Sequence, residues 1–182
     1  EHGYVAFVTA DHGNLEELTR ADGKPHVAHT ANPVPFVVVD AAGTAPNALR
    51  DGKLSDVAPT ILDALAVVPP AAMTGSSLAA GHDWGGRRRV LLLILDGWGL
   101  GGRDDDNPIF LAGTPVWDSI LRHSPWARLE AAGEAVGLKA GKPGNSEAGH
   151  INLGAGRIVL QDDVRLDLAM ADRTFYDNEI LC

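Results

Sequence analysis

Short apolar runs, separated by polar stretches rich in glycine and proline, set the rhythm of this chain. "YVAFVTA" (4–10) is apolar and β-branched and ends at Asp11, the pattern of a buried strand. "FVVVD" (36–40), preceded by the rigid "NPVP", predicts a second strand. "RVLLLILD" (89–96) predicts a central parallel strand, apolar on both faces. Helical spacing marks "LSDVAPTILDALAV" (54–67), where Leu54, Val57, Ile61, Leu62 and Leu65 share one side. Ser55 or Asp56 would cap that helix, with Pro59 in its first turn. "TPVWDSILRHS" (114–124) predicts a helix with Thr114 as cap and Pro115 at its first position. "ARLEAAGEAVGL" (127–138) is expected as a short strand and then a helical turn. A further helix is expected to start at Ser146, and "RIVLQ" (157–161) fits either a strand or a helix end. The acidic stretch 162–182 is expected to be helical. Strands alternating with helices, with no internal repeat, argue an α/β fold with mostly parallel strands.

One stretch breaks the rhythm. Residues 79–89, "AAGHDWGGRRR", carry no period and are rich in glycine and charge, so they are expected to link 1–78 to 90–182. Arg87, Arg88 and Arg89 form the only dense basic run and are expected to be solvated.

Composition narrows the class. With 182 residues, 45% hydrophobic and 21% charged, the chain has the makings of one globular domain rather than a disordered segment. Its formal charge of −9 argues against a nucleic-acid partner. The single cysteine, Cys182, permits no disulfide framework and fits a reducing compartment. Val90–Leu95 is too short to span a bilayer, and no signal peptide is visible. The expectation is a cytoplasmic protein without a membrane partner. The chain begins at Glu1 rather than Met, which leads us to expect a fragment or a processed chain.

Three stretches carry candidate chemistry. In "TADHGN", Asp11 and His12 directly follow an apolar strand, where open α/β sheets bind ligands. A carboxylate and an imidazole suit Zn²⁺ or Mn²⁺, although an Asp-His-Gly strand exit is also a plain turn. "DGWG" repeats the pattern: Asp96 ends the next strand, and Gly97 and Gly99 allow a sharp turn. In "GKPGNSEAGH", Ser146 follows a glycine-rich turn at a helix start, where free N–H groups and the helix dipole favour anions. A metal on its hydroxyl would make it a nucleophile. It also fits a plain N-cap with Glu147 in the first turn, and both roles are compatible. His150, one turn on, reads as a supporting or structural residue, and "HVAHTANPVP" adds His26 and His29, which also fit solvated loop positions.

Together these stretches resemble the cofactor-independent phosphoglycerate mutases of the alkaline-phosphatase superfamily. The resemblance rests on "LLLILDGWGL", "TPVWDSIL", "GNSEAGHINLGAGRIVLQD", "TADHGNLEEL", "HVAHTANPVPFVVV", "LRDGKLSDVAPTILDAL" and "MTGSSL". It implies an alkaline-phosphatase-like, mostly parallel sheet flanked by helices, here the phosphatase domain only and in part. It also implies a phosphoserine intermediate, two Mn²⁺ ions, and transfer of a phosphoryl group between the 2- and 3-positions of glycerate. Carried over by motif, Ser146 resembles the nucleophile. Asp11, His12, Asp96 and Ser146 resemble the ligands of one metal, and His29 a ligand of the other. The expected partner is a small-molecule phosphoglycerate, and the expected state a monomer.

The chain departs from that family in two ways. The order is permuted: residues 1–78 resemble the family's carboxy-terminal part and 90–182 its amino-terminal part, as in a circular permutation or one copy read into the next. The middle part, with the substrate-binding domain and the remaining ligands of the second metal, has no counterpart here. His82 and Asp83 lack the context to supply those ligands. A smaller difference is Lys142-Pro143, where the family more often has Gln-Met. Two alternatives stay open: a metal-dependent phosphatase or phosphodiesterase using the same nucleophile, and a non-catalytic metal-binding fragment.

Overall fold

The computed structural model describes residues 3–19 and 22–177. Residues 178–182 of the expected helical tail, Cys182 among them, lie outside the described residues. Five strands form one mixed sheet: β1 (Tyr4–Thr9), β2 (Val34–Asp40), β3 (Gly52–Lys53), β4 (Arg89–Ile94) and β5 (Trp126–Glu130), in the order β3-β5-β2-β1-β4. β1 runs parallel to β4 and β3 parallel to β5, while β2 is antiparallel to both β1 and β5. Four strands therefore share one direction and β2 alone opposes them. The sheet is mostly parallel, as an α/β fold of this kind requires.

Helices α1 (Val57–Ala64), α2 (Pro108–Leu111), α3 (Pro115–His123), α4 (Ser146–Ala155) and α5 (Asp162–Ala171) complete the described fold, with 3₁₀ turns at Leu54–Asp56, Gly133–Val136 and Thr174–Asp177. The predicted helix over 54–67 thus starts as a 3₁₀ turn, and Asp56 accepts the Lys53 N–H and the Ser76 N–H. Pro115 is the first residue of α3, as the sequence predicts, but Thr114 makes no capping bond and its Oγ1 is buried without a hydrogen-bond partner. Residues 157–161 belong to neither a strand nor a helix. Among the described residues no helix is long and apolar enough to cross a membrane.

The core lies on one face of the sheet. Val5, Phe7, Val34, Phe36, Val38, Leu54, Val57 and Leu129 are fully buried, and the Phe7 and Phe36 rings stack at 5.7 Å. Here the structure corrects one expectation. β4 is an edge strand, not a central one, with β1 as its partner. Val90, Leu92 and Ile94 pack on the core, whereas Leu91 and Leu93 are about half exposed (52% and 47%). A continuous apolar run does not say whether both faces are covered.

The expected linker also takes part in the core. Trp84 is buried and meets Phe7 edge-on, with ring centroids 5.8 Å apart. Arg88, rather than being solvated, binds both carboxylate oxygens of Asp40 at 3.1 Å. This stretch is irregular and so shows no hydrophobic period; Ala79, Trp84 and Arg88 tie it to the rest of the fold.

Candidate metal centre

The sheet register builds the site. β1 and β4 pair in parallel up to Thr9↔Ile94, so Asp11 and Asp96 each lie two residues past the last pair. The Leu95 N–H donates to the Thr9 carbonyl at 2.8 Å and carries the pairing one residue further. Gly97, with φ +70°, then turns the chain away, and its N–H donates to Asp11 Oδ1. Because β2 runs the other way, the loop entering it, with His29 and Thr30, reaches the same edge. There the Gly144 N–H donates to the Thr30 carbonyl, which draws in the loop that opens α4.

Ser146 is the first residue of α4. The helix is capped by Asn145, whose side chain accepts the Ala148 N–H at 2.8 Å. The N-cap role considered for Ser146 therefore belongs to Asn145, and the Ser146 hydroxyl is left for other partners. The Asn145 oxygen has the reach for the third helical N–H, as N-cap side chains do.

His12 Nε2 is the meeting point. It lies 2.9 Å from Ser146 Oγ, 3.2 Å from Asp96 Oδ1 and 3.5 Å from Asp11 Oδ2. His12 Nδ1 lies 3.1 Å from the Gly13 carbonyl, which only accepts, so the ring proton sits on Nδ1. Nε2 is turned toward two carboxylates and a hydroxyl, and in the neutral ring it presents its lone pair to them. Such a gathering of Lewis bases calls for a cation in its midst.

Asp11 Oδ2 agrees: it is buried without a hydrogen-bond partner, while Oδ1 accepts the His12 and Gly97 N–H groups. Asp11, His12 and Asp96 offer one ligand atom each, all within 4.8 Å of one another. Two carboxylates and an imidazole suit a divalent metal ion, and the residues fit one. Asp11 and His12 are buried, but the Asp96 side chain is 76% exposed, so the site opens to solvent.

The other expected residues distribute unevenly. The His29 ring stacks on His12 with centroids 3.9 Å apart. Its Nδ1 donates to the Gly144 carbonyl at 3.0 Å, which leaves Nε2 free as a donor atom. His150 Nδ1 lies 2.9 Å from the Ser146 carbonyl and 3.4 Å from Asp11 Oδ2. His26, His82 and Asp83 stand apart: the His26 N–H donates to the Leu18 carbonyl, His82 Nε2 meets the Thr44 carbonyl, and Asp83 accepts the Gly85 N–H.

One residue was not singled out from the sequence. Glu16 is almost fully buried and accepts the Asn14 N–H (2.8 Å), the Gly99 N–H (3.1 Å), the Asn32 amide (3.0 Å) and the Thr30 hydroxyl. A Cβ on Gly13 or Gly99 would run into this carboxylate. The second glycine of "DGWG" thus makes room for Glu16, while the first forms the turn. An acid five residues after a strand-end aspartate was the available signal, and it resembles any surface glutamate.

Comparison with known proteins follows the same lines. The model of the metalloenzyme superfamily matches residues 1–69 and 88–175. A protein of Bacteroides thetaiotaomicron named 2,3-bisphosphoglycerate-independent phosphoglycerate mutase is 50% identical over 91 residues. Proteins of that name from Idiomarina loihiensis and, as mutase 2, from Methanosarcina acetivorans are 52% and 48% identical over 93 and 95 residues. Each alignment covers about half of this chain but only 18% of the relative. No solved structure gives a significant match. With the family model spanning both parts of the chain and both strand-end aspartates of the cluster, the chain belongs to the metalloenzyme superfamily.

Proposed function

We propose that this chain carries the nucleophile and one metal site of a phosphoglycerate mutase, which interconverts 3-phosphoglycerate and 2-phosphoglycerate through a phosphoserine. The observation that carries the reading is the 2.9 Å approach of Ser146 Oγ to His12 Nε2 within the Asp11, His12 and Asp96 cluster. The names of the relatives supply the substrate class.

In this reading Asp11, His12, Asp96 and Ser146 hold one Mn²⁺, and His29 contributes to a second. The ions, when bound, supply positive charge that polarises the phosphoryl oxygens and lowers the pKa of the Ser146 hydroxyl. Ser146 Oγ attacks phosphorus in line, forming the O–P bond of phosphoserine while the substrate's ester O–P bond breaks. The serine proton passes to the leaving glycerate hydroxyl. The reverse attack, by the other glycerate hydroxyl, frees Ser146 and completes the transfer. Asn145, as N-cap, keeps the serine in the first turn of α4, where the helix dipole favours the phosphoryl charge.

Residues 1–78 and 90–182 are read as the carboxy- and amino-terminal parts of one phosphatase domain, joined by 79–89. The protein is read as a cytoplasmic monomer of glycolysis and gluconeogenesis, with no nucleic-acid or membrane partner. The groups that orient phosphoglycerate belong to a further domain, so substrate orientation by this chain alone is weak.

A second reading is favoured by the open site. The Asp96 side chain is 76% exposed, so the site opens to solvent, and water would compete for a phosphorylated Ser146. Hydrolysis would then make the chain a metal-dependent phosphatase. One experiment separates these readings: the chain is incubated with Mn²⁺ and 3-phosphoglycerate, with Ser146→Ala as control. Serine-dependent 2-phosphoglycerate supports the mutase, and serine-dependent free phosphate supports the phosphatase. Absence of both in a folded protein leaves a metal-binding fragment and sinks the catalytic readings.

A further inference from the structure

We propose that Glu16 is a positioning residue that sets the metal affinity of this site by locking the loop of Asp11 and His12 to the loop of Asp96 and to the neighbouring loop of His29. The inference rests on the metal-site reading and goes beyond it.

Glu16 belongs to the loop of Asp11 and His12. Its partners lie on that loop (Asn14), on the loop of His29 (Thr30 and Asn32) and on the loop of Asp96 (Gly99). The Gly99 contact bridges 83 residues of sequence. Each carboxylate oxygen accepts two hydrogen bonds: Oε1 from Thr30 and Asn32, Oε2 from Asn14 and Gly99. All four partners act as donors. The Thr30 hydroxyl is also engaged as an acceptor, from the Asn32 N–H. An ionised carboxylate has about four acceptor sites, and here all are filled.

The carboxylate is not placed as a ligand: its four acceptor sites face protein donors. Its effect passes through the loops. Asp96 and Asp11 are held by separate strands, and their spacing past the sheet depends on how the loops beyond them are tied. The Leu15 N–H to Gly97 carbonyl bond (2.9 Å) is a second tie between the same two loops. That tie and the β1/β4 pairing do not involve Glu16, so folding and positioning are separable.

Glu16→Gln keeps the shape but places an NH₂ group where only donors point. The test is Mn²⁺ titration of the full chain, at a temperature where circular dichroism reports both proteins folded. The visible spectrum of the Co²⁺ complex reads ligand geometry in parallel. The expected result is a Kd for Mn²⁺ raised about 10- to 100-fold, as for other groups that orient metal ligands, with altered Co²⁺ bands. A lower melting temperature with unchanged Kd and unchanged bands would make Glu16 merely structural and overturn the proposal. If Glu16→Gln does not fold, Thr30→Val decides, since it removes one donor and keeps the carboxylate. A raised Kd supports the proposal and an unchanged one overturns it. Wild-type chain that binds no Mn²⁺ overturns the metal reading itself, an outcome distinct from wild type and Glu16→Gln binding equally well.

Discussion

His12 Nε2 and Ser146 Oγ lie 2.9 Å apart, across 134 residues of sequence. One belongs to the loop after β1 and the other to the first turn of α4, and the parts of the chain that carry them are separated by the 79–89 segment. The contact is the clearest sign that the two parts of the chain form one site.

The site should respond to metal. Asp11 Oδ2 is buried without a hydrogen-bond partner, within reach of two further donor residues. Mn²⁺ at a hundred times its Kd is expected to stabilise the folded chain by about 2.7 kcal/mol. Thermal unfolding with Mn²⁺, and again after a chelator, reads this directly. Asp11→Asn should abolish most of the gain. An equal gain in the variant would place the ion elsewhere.

Helix α4 depends on a glycine to reach the site. A Cβ on Gly149 would collide with the Asp11 carbonyl. Gly149→Ala should therefore push α4, and Ser146 with it, away from Asp11. We expect a loss of about 1–3 kcal/mol of stability, typical of overpacking, together with weaker Mn²⁺ binding. Gly154, whose added Cβ would meet nothing within 4 Å, is the control. Alanine there should leave Mn²⁺ binding unchanged. Urea denaturation and metal titration of both variants check the pair.

Asp40 gives the fold a pH dependence of known sign. Burial opposes its charge, but hydrogen bonds from Thr44 and the Ala42 N–H and the charge of Arg88 outweigh that, so its carboxyl is held below the ordinary value. A lowered folded-state pKa stabilises the fold above the unfolded value, about 3.9. That contribution is lost as pH falls through the still lower folded value. Urea denaturation between pH 7 and pH 3 should show stability declining on the acid side, and Asp40→Asn should flatten that decline. Arg88→Ala should cost about 2 kcal/mol at neutral pH, the scale of hydrogen bonds to a charged group. It would show that the 79–89 segment helps hold the fold.

Much of this protein is legible in local pattern. The runs at 4–10 and 36–40 are strands because β-branched and aromatic residues fit a pleated, buried surface. Pro115 opens α3 because the first helical position needs no N–H. Asp11, His12, Asp96 and Ser146 stand out as candidates by position, at strand exits and after a glycine-rich turn, and the structure brings their side chains together. What only the tertiary structure decided are matters of covering and convergence. β4 is an edge strand because, among the described residues, no strand lies beyond it, and its own sequence says nothing about neighbours. Trp84 and Arg88 become structural through Phe7 and Asp40, which lie far from them in sequence. Asn145 rather than Ser146 caps α4 because the backbone angle at the turn, not side-chain type, selects the capping residue. Glu16 is invisible beforehand because its role is set by four donors, three of which come from loops that local pattern cannot bring together. Residue types and short spacings determine which groups can take part in the chemistry; sheet register and loop packing determine which of them meet.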